Sequence, residues 1–152
     1  MKITGKNAKL YYISGGIPET TPTWVLLGAI KSVKAPLEKD EIDATTRDSG
    51  DFKRYIGGLK DVPVSIEMPY DNANTGFGVV QGAYFADTVL GIALMDGDIE
   101  TAGSQGLLAD FIVTGFDIDQ PLDGLVMVNI SLKLADTEYA PNWETIEAEP
   151  AP

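Results

Sequence analysis

Three stretches of the 152-residue sequence have residue types and spacings that chemistry can use. Gly76-x-Gly78-x-x-x-Gly82 follows a strand-like run and opens a helix-like one, an arrangement whose backbone amides can hold an anion. Its spacing departs from the dinucleotide fingerprint and no P-loop lysine follows, so close packing of a helix on a sheet accounts better for the glycines. Asp96-Gly97-Asp98-Ile99-Glu100 offers carboxylates to a hard cation, but it lacks the longer ligand run of a calcium loop, and Asp-Gly is an ordinary turn pair. Asp117 and Asp119 share one face of a strand, as the acids of a hydrolase can. Nothing else in that segment supplies a second chemical role, and a solvated face explains the pair better. Cysteine and histidine are absent, which removes thiolate nucleophiles, thiolate metal sites and the commonest general base. The reading is of a non-enzyme with no catalytic residue, metal or cofactor.

Charge is the strongest compositional signal. Residues 1–86 hold ten acidic and ten basic side chains, whereas residues 87–152 hold thirteen acidic side chains and one lysine, Lys133. The whole net charge of −12 therefore lies in the second part. Affinity for nucleic acid comes largely from Lys and Arg on phosphates, so a surface built from Leu107 to Asp136 repels DNA. The aromatics Tyr11, Tyr12, Trp24, Phe52, Tyr55, Phe111 and Phe116 are scattered and read as core or interface, not as a base-stacking platform. No apolar run reaches the ~18 residues of a membrane helix, and no signal-peptide pattern follows Met1, so a soluble chain without a membrane partner is expected.

The elements that must position these residues follow from periodicity. Ala8 to Ile13 reads as a short strand, and Trp24 to Val33 as a strand interrupted by Gly28. Asp61 to Met68 alternates, with Val62, Val64, Ile66 and Met68 on one face. Phe77, Val80, Tyr84 and Phe85 recur at helical spacing, which predicts one helix over about 75–86 with Asn74 or Thr75 as N-cap. Thr88 to Met95 reads as a buried strand, and Leu107 to Gln120 and Leu125 to Ala135 as the long arms of a hairpin. The fold class is mainly β, a sandwich or barrel flanked by one α-helix. A single domain over 1–137 and an acidic, flexible tail over 138–152 are expected. Strands longer than the usual ~5–6 residues leave edges that one small domain covers poorly, and such edges commonly pair with another subunit.

Between the strand-like runs lies Lys39 to Leu59, the longest polar segment, dense in both signs of charge, which reads as an extended arm ordered by a neighbour. Within it, Glu41-Ile42-Asp43-x-Thr45-Thr46-Arg47-Asp48-Ser49-Gly50, followed by Gly58-Leu59-Lys60-Asp61, resembles the signature region of the tail tube proteins of long-tailed bacteriophages. The likeness continues through Met68-x-Tyr70-Asp71, the helix from Thr75, the Leu94-Met95-Asp96-Gly97 turn and the two long C-terminal strands, covering roughly residues 24–136. The resemblance implies a structural virion protein assembled in the host cytoplasm. Its hexameric rings would stack into a hollow tube through which DNA is ejected without specific binding. Tape-measure and tail terminator proteins are the other partners it implies.

On that reading Ile42, Asp43, Arg47, Asp48, Phe52, Lys53, Arg54 and Tyr55 form the subunit or ring contact. Asp110, Asp117 and Asp119 are the candidate acids facing the lumen. The long strands pair edge to edge around the ring, so that proline at Asn129 or Ser131 blocks closure. The alternatives are a tube subunit of a contractile injection or secretion system, and a carbohydrate-binding β-sandwich, which needs Trp and Tyr clustered on one exposed face.

Overall fold

A computed structural model describes residues 2–18, 22–28 and 30–147. Among these residues ten strands, one 3-10 turn and one helix follow each other: β1 Lys9–Ser14, β2 Val25–Leu26, β3 Ser32–Lys34, β4 Glu38–Asp43, the turn Arg47–Ser49, β5 Tyr55–Asp61, β6 Val64–Pro69, α1 Thr75–Ala86, β7 Leu90–Met95, β8 Gln105–Asp119, β9 Met127–Leu134 and β10 Asn142–Thr145. All pairings are antiparallel. The main sheet runs β2-β1-β7-β8-β9-β6-β3, with β10 also on β8, and β4-β5 form a separate two-stranded hairpin.

The stretch read as one strand over 24–33 is two. Gly28 falls in a break, and the pieces join opposite ends of the sheet, β2 on β1 and β3 on β6. That split dictates the shape. Six residue steps from Leu26 to Ser32 reach at most about 20 Å, whereas seven strands laid flat span about 29 Å. The sheet must therefore curl until its two edges approach.

The curl encloses the main core. Leu10, Ile66, Met68, Leu90, Ile92, Phe111, Val128, Ile130 and Leu132 are all buried there. α1 lies over this side, with Phe77 edge-on to Phe116 at 5.6 Å between ring centroids. Three glycines weaken α1, each by about 1 kcal/mol at an interior position. Burial of Phe77, Val80 and Ala83 offsets this, and so does the cap: Asn74 Oδ1 accepts from the amides of Gly76 (3.0 Å) and Phe77 (3.5 Å). Only Gly76 is required by packing, since a Cβ there would run into Leu27 and Tyr12, while Gly78 and Gly82 face open space.

The other side of β1, β7 and the first half of β8 holds a second cluster, Tyr11, Ala93, Met95 and Leu108, covered by Ile17, Trp24, Ile99, Tyr139 and Ile146. The tail expected to fray thus contributes to this cover. Asn142 to Thr145 pair with Leu108 to Gln105, and Trp143 Nε1 donates to Gln105 Oε1 at 2.8 Å. The first residues of β8, 105–110, extend past the end of β9 at Leu134, and β10 takes the edge left there by pairing with 105–108. Residues 148–152 of the expected tail lie outside the described residues.

Candidate functional site

The predicted arm is a hairpin built by its own side chains. Ile42 pairs with Ile56 and Asp43 with Tyr55, with a bulge between Lys39 and Glu41. Beyond the ladder, Arg54 N donates to Thr45 Oγ1 at 2.9 Å and Ala44 N to Arg54 O at 2.9 Å. Thr45 N donates to Asp43 Oδ1 at 2.9 Å. Thr45, through its side chain and then its backbone, holds the Asp43 carboxyl below the ordinary carboxylate range. Thr46 N donates to Ser49 Oγ at 3.0 Å, and Gly50 turns the chain at φ +71°, where a side chain is disfavoured. The residues Asp43, Thr45, Thr46, Ser49 and Gly50 therefore shape the tip. A neighbour is not needed for that local order.

The hairpin leaves its apolar side chains uncovered. Ile42, Phe52, Tyr55, Ile56 and Leu59 are all exposed, Phe52 at 69 % and Leu59 at 82 %. Arg47, Lys53 and Arg54 make no ion pair with the described residues; Arg54 instead lies 5.9 Å from the centre of the Phe52 ring. A lone two-stranded hairpin in water is marginal. Full burial of each apolar side chain contributes about 1.5–3 kcal/mol, against about 0–1 kcal/mol for an exposed ion pair.

A second surface is the uncovered half of the sheet's back. Opposite the core face, β3, β6, β9 and the second half of β8 present Ser32, Lys34, Ser65, Glu67, Asn129, Ser131, Lys133, Thr114, Asp117 and Asp119. Asp117 and Asp119 are exposed there, with Asp117 opposite Asn129. Asp110 is not part of that surface. It is 4 % exposed, and its oxygens accept from Ile17 N and Thr137 Oγ1, both at 2.7 Å. The carboxylate ties two loops over the second cluster, and this role corrects its expected place among lumen-facing acids. The same-face alternation of β8 also breaks between Val113 and Gly115, where the register shifts by one residue.

The unpaired edges differ from those expected. β9 is flanked along its length by β8 and β6, so proline at Asn129 or Ser131 would break the subunit itself. β7 accompanies β8 only as far as Leu90 opposite Phe111. Residues 112–119 consequently have β9 on one side and no strand on the other among the described residues. β3 is likewise paired on one side only. No periodicity marks these edges, because an edge is a property of topology.

The sites set aside on sequence grounds are occupied by structural bonds. Asp96 Oδ1 accepts from Gln105 N at 3.0 Å, Asp98 Oδ1 accepts from Glu100 N at 2.9 Å, and Asp98 lies 3.8 Å from Lys9 Nζ. Among the described residues no cluster of carboxylates has a metal-binding arrangement, and no helix is long and apolar enough to cross a membrane.

No protein-family model and no curated protein matches the sequence. Solved structures do match. The SPP1 tail tube superposes with TM-score 0.74 at 13 % identity, over 97 % of this chain and 81 % of that one. The tail of an empty gene transfer agent (GTA) particle, refined with C6 symmetry, gives 0.71 at 14 % identity, over 93 % and 98 %. The fold is that of phage tail tube proteins. The tail tube fold also extends to the sheath–tube complex of PVC, an extracellular contractile injection system, at TM-score 0.56 and 12 % identity, over 95 % and 93 %.

Proposed function

We propose that this protein is a tail tube subunit, a non-enzymatic virion component whose copies form sixfold rings that stack into a hollow tube for DNA. The observation that carries the proposal is the hairpin, an ordered element with exposed apolar side chains and free cations, on a chain with the tail tube fold. Higher structural similarity to the phage and GTA tails than to the contractile injection system favours delivery of DNA over delivery of protein effectors.

Within a ring, the free edge of β8 at 112–119 takes the neighbour's β3, which makes β3, β6, β9 and β8 of successive subunits one continuous wall. The uncovered face, with Asp117 and Asp119, then lines the lumen, and carboxylates there keep DNA from adhering. Tape-measure and terminator proteins are expected to fill and cap the tube, with assembly in the host cytoplasm before incorporation into the virion.

Electron microscopy of the purified protein across a concentration and salt series tests the reading. Rings or hollow tubes are expected. A chain that stays monomeric throughout, and stays so when mixed with lysate of infected cells, would argue for a binding module instead. Ring closure is tested by proline at Asp117 and, separately, at Ile118. Successive amides on a strand point to opposite sides, so one proline removes a β9 bond and the other only the edge bond. The second should leave a folded subunit that forms no ring.

A further inference from the structure

The second cluster is closed by two chain segments that meet at one carboxylate. Asp110 is 4 % exposed, and no lysine or arginine among the described residues pairs with it. Its Oδ1 accepts from Ile17 N in the loop after β1, and its Oδ2 accepts from Thr137 Oγ1 in the segment between β9 and β10, each at 2.7 Å. Its backbone carbonyl accepts from Ala135 N at 2.9 Å. Gly91 makes the arrangement possible. It stands opposite Asp110 on β7, and a Cβ there would run into Ile17, so a glycine lets the loop descend to the carboxylate.

Both segments cover the same apolar patch. Ile17 from one, with Tyr139 and Ile146 from the other, lies over Tyr11, Ala93, Met95 and Leu108. The second segment is held further by β10 on β8 and by Ile146 N, which donates to Ser104 O at 2.7 Å. The strands beneath have a separate anchor. On their other face β1, β7 and β8 bury Leu10, Tyr12, Leu90, Ile92, Ala109 and Phe111 in the main core. Loss of the cover would therefore leave the curled sheet folded. It would expose the patch together with residues 105–110 of β8, on the opposite side of that strand from the free edge at 112–119.

Each carboxylate oxygen has one of these partners, and the two partners belong to different segments. Departure of either leaves a charged oxygen unsatisfied in a buried place, which costs more than the net worth of the bond. Water that enters to satisfy it also reaches the other bond. We propose that Asp110 is a shared clasp through which residues 15–18 and 135–146 open and close as one unit over a sheet that stays folded. Closed, the unit leaves β8 with free edge only at 112–119 among the described residues. Open, it frees a second edge beside an apolar patch, a combination that invites unspecific strand pairing. The clasp thus regulates which edge of the chain is available, and it does so whether or not the chain builds a tube.

Hydrogen exchange on the full chain tests the coupling. Thr137→Val removes the hydroxyl and keeps the shape, at a position that is itself exposed. The Ile17 amide, bonded to the other oxygen, should exchange about tenfold faster or more. The Ile146 amide should quicken by the same factor, with the amides of β6 and β9 unchanged. Thr137→Ser retains the hydroxyl and should exchange as the wild type does. The two tryptophans of the chain, Trp24 and Trp143, lie beside the second cluster and in β10. In denaturant, the Thr137→Val chain should therefore lose its native fluorescence before its far-ultraviolet dichroism. Faster exchange at Ile146 with Ile17 unchanged would reveal two independent flaps and overturn the clasp. Equal acceleration in β6 and β9, or coincident fluorescence and dichroism transitions, would show cover and sheet unfolding together and overturn it as well.

Discussion

The curled sheet and the hairpin are held by different physics. In the sheet, Phe111, Met68 and Leu90 have no solvent exposure, and each strand is fixed by what its inner face buries. In the hairpin every residue of β4 is exposed, and order comes from a ladder plus the bonds of Thr45, Thr46 and Arg54. One region uses its apolar side chains for its own stability; the other keeps Ile42, Phe52, Tyr55 and Ile56 available to something else. An ordered element that spends so little on the body is free to be specified by a partner.

The largest expected effect separates the regions directly. Phe111→Ala should destabilise the sheet by about 3–5 kcal/mol, measured by denaturant unfolding, because it empties the part of the core where β7, β8 and β9 meet. Next, Gly76→Leu should cost about 1–3 kcal/mol by forcing the start of α1 away from Leu27 and Tyr12. Thermal unfolding followed by near-ultraviolet dichroism checks this, and a change below the error would mean the helix start moves freely. Deleting 41–57 sharpens the comparison from the other side. Body stability should change by less than about 0.5 kcal/mol, within the range of ordinary surface changes, while assembly is lost.

The smallest effect lies in the tip. Asp43 has a folded-state pKa lowered by Thr45, so its contribution is present above the ordinary carboxylate value and is lost as pH falls through the lowered one. Amide exchange at Thr45 and Arg54 should be unchanged near neutrality and quicken only in acid, compared between about pH 6 and about pH 2 at matched intrinsic rates. Asp43→Asn should remove that acid dependence and leave the unfolding midpoint of the body alone.

Much of the sheet was legible because its signals are local. The alternation of Val62, Val64, Ile66 and Met68, and of Val128, Ile130 and Leu132, specifies which face is buried whatever the strand pairs with. Asn74 followed by Phe77 and Val80 specifies α1, whose observed span of Thr75–Ala86 agrees with the expected one. The hairpin was legible as polar and exposed, but not as a hairpin. Its turn depends on Thr45 reaching across to Arg54, a bond between residues nine apart that no hydrophobic period records.

By itself, then, the sequence determined where β1, β6, β7, β8, β9 and α1 lie, that the whole net charge sits in its second part, and that no thiol or imidazole chemistry is present. Only tertiary structure decided that Asp110 is buried between Ile17 and Thr137, that β10 completes the lower part of the sheet, and that the free edge belongs to residues 112–119 and not to β9. The reason is common to all three. Periodicity reports which side of an element faces away from water, whereas the partner at an edge or around a buried carboxylate is chosen by chain segments distant in sequence.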